Sequence, residues 1–191
     1  MPWIVDYVQV LAQMRSQGLR DLYYNSGAFG FSNESVVESV GWIGGEDPTL
    51  RPAARDLARS VPPPYAEELI ARVVRAWREH LPGPVWVMPT SHWAYELDFG
   101  SRDWMAALLE HSGIDSGLLQ PRTNAAAIEF TLNEADAFSH LAEGLLRMLF
   151  GSDFALAFPG KPVVCTLHHH KQVWWTSTDH ALIESLGRLA G

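Results

Sequence analysis

The chain has 191 residues, 47% of them hydrophobic and only 19% charged, a balance that excludes a disordered polymer and provides for a real core. Its formal net charge is −8 and it has no long basic run, which argues against a nucleic-acid partner because phosphate binding needs a concentrated cationic face. A single cysteine, Cys165, excludes an intrachain disulfide, and no apolar stretch approaches the ~20 residues that span a bilayer, so no membrane partner is expected.

In chain order, residues 2–17 are expected to form a helix. Pro2 suits a first turn, Trp3, Tyr7, Val10, Leu11 and Met14 follow helical spacing, and Gly18 ends it. The segment LRDLYYNSGAFGFS reads as a strand or hairpin around Asn25-Ser26-Gly27. Residues 40–50 read as loop, interrupted by Gly44-Gly45 and Asp47-Pro48. A short helix is expected over 49–60. After Pro62-Pro63-Pro64 a longer one is expected over 65–80, with Leu69, Val73, Trp77 and Leu81 as its apolar stripe and Pro82-Gly83 as its stop.

From residue 84 strands alternate with helices. PVWVMP and SHWAYELDFG read as strands, and SRDWMAALLEHSG reads as a helix capped by Ser101 and ended by Gly113. NAAAIEFTL is a strand, and the helix that follows is expected to take Asn133 as its cap. FALAFPGKPVVCTL reads as two strands around Pro159-Gly160-Lys161-Pro162, VWWTS as continued extended chain, and the end of the chain as a helix capped by Ser177 or Thr178. The fold class expected is α+β in a single domain over 1–191. It has a mixed, largely antiparallel sheet, helices packed mainly on one face, and a helix-rich N-terminal part over 1–83.

Side chains alternate across a strand, so each predicted strand can be read by face. In 92–99, Trp93, Tyr95, Leu97 and Phe99 share one face, and His92, Glu96 and Asp98 share the other. In 126–132, Glu129 and Thr131 oppose Ile128 and Phe130. In 163–176, Thr166, His168, His170, Gln172, Trp174 and Thr176 oppose Val163, Cys165 and Leu167, provided the chain stays extended through the histidines. If it turns there, the histidine–lysine stretch becomes an exposed tip.

Two functional readings follow. The leading expectation is a non-enzymatic binding or accessory protein. It would hold a protein partner or small ligand on the polar sheet face through His92, Glu96, Asp98, Glu129, Thr131, Gln172 and Trp174. Tryptophan among polar groups is a common make-up for a binding hot spot, although Trp174 is equally placed to be covered by the N-terminal helices. This reading needs no cofactor. The alternative is a metal-dependent hydrolase-type enzyme. Imidazoles at His168 and His170 point the same way along a strand and, with Glu129 or Glu96, would hold a divalent transition metal such as zinc. Either histidine beside Glu129 would also serve as a general base without metal. No HExxH, CxxC, Gly-x-Ser-x-Gly or phosphate-loop pattern accompanies them. His80, His111, His140 and His180 fall on predicted helices and are read as surface residues. The opening residues lack a basic leader and a small-residue cleavage site, so the cytoplasm is the expected location.

Overall fold

The computed structural model describes residues 2–20, 22–25, 28–31, 37–44, 57–89, 102–115, 126–148 and 153–189. In chain order these form β1 (Trp3–Asp6), α1 (Tyr7–Ser16), β2 (Leu22–Asn25), β3 (Ala28–Phe31), β4 (Glu38–Ile43), β5 (Leu57–Ser60), α2 (Tyr65–His80) and β6 (Val85–Pro89). There follow α3 (Arg102–His111), β7 (Ala126–Phe130), a 3-10 turn (Leu132–Glu134), α4 (Ala135–Met148), β8 (Phe154–Ala157), β9 (Val163–His168), β10 (Gln172–Ser177) and α5 (His180–Arg188). Eight strands make one sheet in the order β1-β7-β6-β8-β9-β10-β4-β5, and β2-β3 is a separate hairpin. Every pairing in the large sheet is antiparallel except β4 with β5. The α+β class and the largely antiparallel sheet thus stand. No helix among the described residues is long and apolar enough to cross a membrane.

The N-terminal third is not helix-rich: it contributes β1 to β5, with α1 as the one helix that precedes α2 among the described residues. The expected helix over 2–17 begins instead as a strand. Trp3, Ile4 and Val5 pair with Glu129, Ile128 and Ala127, and Asp6 then caps α1 by accepting from the Val8 N–H at 2.8 Å. Aromatic and β-branched residues suit an edge strand, and the pairing partner lies more than a hundred residues away, where helical spacing gives no sign of it. The expected loop at 40–50 includes β4, and the expected helix over 49–60 ends in β5, which runs parallel to β4 from Val40↔Leu57. The expected strand at 92–99 lies outside the described residues.

Helices meet both faces of the sheet: α2, α3, α4 and α5 contribute to one core and α1 to the other. Alternation along β6 shows the division. Val85 and Val87 join the larger core with α2, α4 and α5, whereas Trp86 and Met88 join a second core with Val10 and Met14 of α1. On the first face Leu69, Val73, Trp77 and Leu81 are fully buried, as their helical spacing foretells. There Trp77 meets Phe138 edge-on at 5.4 Å. α5 is tied down by its carbonyls, with Trp42 Nε1 donating to Leu186 O at 3.2 Å and Arg72 donating to Leu189 O at 2.6 Å.

Two helix starts differ from expectation by one or two residues. Thr131, not Asn133, caps the helical run, in a reciprocal box in which the Glu134 carboxylate accepts from the Thr131 N–H at 2.9 Å. Asp179, next to the expected Ser177 or Thr178, caps α5 by accepting from the Leu182 N–H at 3.1 Å.

Candidate functional site

The segment 163–177 turns at the histidines. β9 ends at His168, β10 starts at Gln172, and the two residues are directly paired. His169, His170 and Lys171 form the three-residue loop between them, and Lys171 adopts the left-handed conformation at φ 57°. A three-residue hairpin loop uses this geometry to match the twist of its strands. The carbonyl of Lys171 accepts from the Gly44 N–H at 2.8 Å, which secures the loop to the end of β4.

Because the loop holds an odd number of residues, facing parity survives the turn. Thr166, His168, Gln172, Trp174 and Thr176 still share a face. Their surroundings differ from those of an open polar face. Gln172 is 0% and Trp174 3% exposed, and the indole Nε1 donates to Gln172 Oε1 at 2.9 Å. The Trp174 ring lies over the bare backbone of Gly41, its cross-strand partner on β4. Trp174 is therefore buried rather than exposed.

In the loop all three imidazoles gather, each offering one nitrogen within 4.8 Å of the others. The ring centroids of His168 and His169 lie 4.3 Å apart, those of His169 and His170 4.3 Å, and those of His168 and His170 5.1 Å. All three are half-buried.

Glu129 is not the carboxylate that meets them. Glu129 pairs with Trp86, Trp86 with Ala157, and Ala157 with Val164. Three strand spacings put Glu129 about 14 Å from β9, at the level of Val164 rather than His168. There it accepts from Trp86 Nε1 at 2.6 Å. Thr131 is occupied in the capping box. His92, Glu96 and Asp98 lie outside the described residues.

The carboxylate present is Asp153, which immediately precedes β8. Phe154 pairs with Leu167, so the antiparallel register carries Asp153 alongside His168. Asp153 Oδ1 accepts from the His169 backbone N–H at 3.1 Å and lies 2.8 Å from His169 Nδ1, while Oδ2 lies 3.8 Å from His168 Nε2. Sequence reasoning missed this residue, although the signal was there. The turn recognised at Pro159–Pro162 sets the β8–β9 register, and that register leads to Asp153.

Burial pushes the affinity of His168 for a proton below the ordinary histidine value, Asp153 opposes that, and the imidazoles of His169 and His170 reinforce it. A neutral imidazole is the form that ligates a metal. The His170 N–H donates to His168 Nδ1 at 3.2 Å, so a metal bound at that nitrogen would displace this hydrogen bond. Zinc–nitrogen bonds of about 2.0–2.1 Å need tetrahedral nitrogens roughly 3.3 Å apart. The nitrogens lie within 4.8 Å of one another, so a bound zinc would draw them up to about 1.5 Å closer. The cluster is thus a candidate metal centre. No protein-family model, curated protein or solved structure matches the chain.

Proposed function

We propose that this protein is a binding protein whose small ligand is a divalent transition metal, held at the tip of the β9–β10 hairpin by His168, His169 and His170. The observation that carries this reading is the convergence of three imidazole nitrogens within 4.8 Å beside the Asp153 carboxylate. Imidazole donors suit zinc, nickel and copper. The function stays a small-ligand binding protein, and its metal site comes from the His-His-carboxylate alternative, with His169 added and Asp153 in place of Glu129. It moves the site off the polar sheet face, where Gln172 and Trp174 are too buried to meet a partner.

The test is metal binding by protein purified without an affinity tag. Zinc or nickel at 100 times its dissociation constant should stabilise the fold by up to about 2.7 kcal/mol, less what the three consecutive histidines bind in the unfolded chain. The shift should disappear in His168→Ala/His170→Ala protein and return to baseline with a chelator. Equal melting temperatures with and without zinc, nickel and copper would refute the proposal.

A further inference from the structure

Asp153 lies outside the hairpin in sequence, yet it touches the hairpin at three points. One carboxylate oxygen receives both the backbone N–H and the ring Nδ1 of His169, at 3.1 and 2.8 Å. The other oxygen faces His168 Nε2 at 3.8 Å. Two contacts from one residue to one oxygen fix that residue's backbone and its ring together.

We infer that Asp153 is a positioning residue that locks His169 in the Nδ1–H tautomer, so that Nε2 is its ligand atom, and thereby makes the tip an all-imidazole site that takes zinc, nickel or copper and rejects magnesium and calcium. The inference rests on the metal-binding reading and adds the residue that organises it.

The chemistry is direct. An ionised carboxylate only accepts, so the short contact to His169 requires a hydrogen on Nδ1 and leaves the lone pair on Nε2. A carboxylate on the far nitrogen is the usual outer-shell support of a ligating histidine, fixing its tautomer and raising its basicity. Oδ1 already serves two N–H donors of His169, which favours an outer role for Asp153 over direct ligation. Magnesium and calcium need several oxygen ligands, and three neutral imidazoles with an engaged carboxylate do not provide them.

The test has two readouts. Long-range proton–nitrogen correlation spectra of metal-free, ¹⁵N-labelled protein report each ring's tautomer. Wild type should show His169 protonated on Nδ1 alone, and Asp153→Ala should lose that preference. Titrations with zinc, nickel, magnesium and calcium then give affinities. Asp153→Ala should weaken zinc and nickel by about 10–100-fold. Asp153→Asn should fall between the two, since an amide oxygen still accepts but carries no charge. It also serves as the test variant if the alanine protein fails to fold. Magnesium and calcium should not bind wild type. An unchanged His169 tautomer in Asp153→Ala, or zinc affinity within twofold of wild type, overturns the inference and leaves the metal site standing. Complete loss of binding in both Asp153 variants, with His169→Ala still binding, makes Asp153 a direct ligand and also overturns it. No binding of zinc or nickel by wild type removes the metal-binding reading itself, whatever the tautomer.

Discussion

Replacing Gly41 by alanine tests the packing that closed the expected polar face. A Cβ at position 41 would lie 2.5 Å from both Cη2 and Cζ3 of Trp174, and 2.7 Å from Cε3. Carbon atoms do not approach so closely, so the indole or the strand must move. The indole has little room, being 3% exposed and bonded to Gln172, which is itself 0% exposed. Overpacking a filled site costs about 1–3 kcal/mol. Displacing the indole also breaks its bond to Gln172 and leaves buried polar atoms unpaired, adding roughly 1–3 kcal/mol. The expected loss is therefore about 2–6 kcal/mol, and 3 kcal/mol corresponds to roughly 6–12 °C in melting temperature for a domain of this size. A glycine kept only for chain flexibility would behave oppositely, since alanine stabilises by about 0.4–1 kcal/mol where the backbone accepts it. Equilibrium urea unfolding separates the two signs. Repeating the substitution in a Trp174→Ala background should remove most of the penalty, because the clashing ring is gone. A neutral or stabilising Gly41→Ala in the wild-type background would refute the reasoning.

Two further substitutions probe how α5 is seated. Asp179→Ala removes the α5 cap and should cost about 0.5–2 kcal/mol in urea unfolding, whereas Thr178→Ala should stay within about 0.5 kcal/mol; equal costs would contradict the cap assignment. His180 lies between Glu38, 2.7 Å from its Nδ1, and Glu184, 3.3 Å from its Nε2, and the Glu38 hydrogen bond above all raises its pKa above the ordinary 6.5. The pairing thus contributes fully below the unfolded-state value and fades as pH rises through the higher folded-state value. An NMR titration should place the His180 midpoint above 6.5, and Glu38→Gln should bring it down.

Much of the second half of the chain was legible. β6, α3, β7, α4, β8, β9 and α5 fall where periodicity and turn residues put them, because their apolar patterns are strong. Apart from the β2–β3 hairpin expected around Asn25-Ser26-Gly27, the first sixty residues were not. Trp3 to Val5 fit a helical stripe and a strand about equally, and β4 contains Gly41, which lowers any strand signal while leaving room for the Trp174 ring. Alternation correctly grouped His168 with Gln172 and Trp174, but it had no means of showing what lay above them.

The sequence by itself determined the α+β class, the amphipathic stripe of α2 and the candidacy of the histidine run, since these depend on neighbours within a few residues. The tertiary structure decided the edge strand β1, the covering of Trp174 and the replacement of Glu129 by Asp153 as the carboxylate at the site. Each of these depends on strand order and register. Strand order, and register apart from the β8–β9 pair that the Pro159–Pro162 turn sets, come from contacts between segments far apart in the chain, which neither propensity nor periodicity encodes.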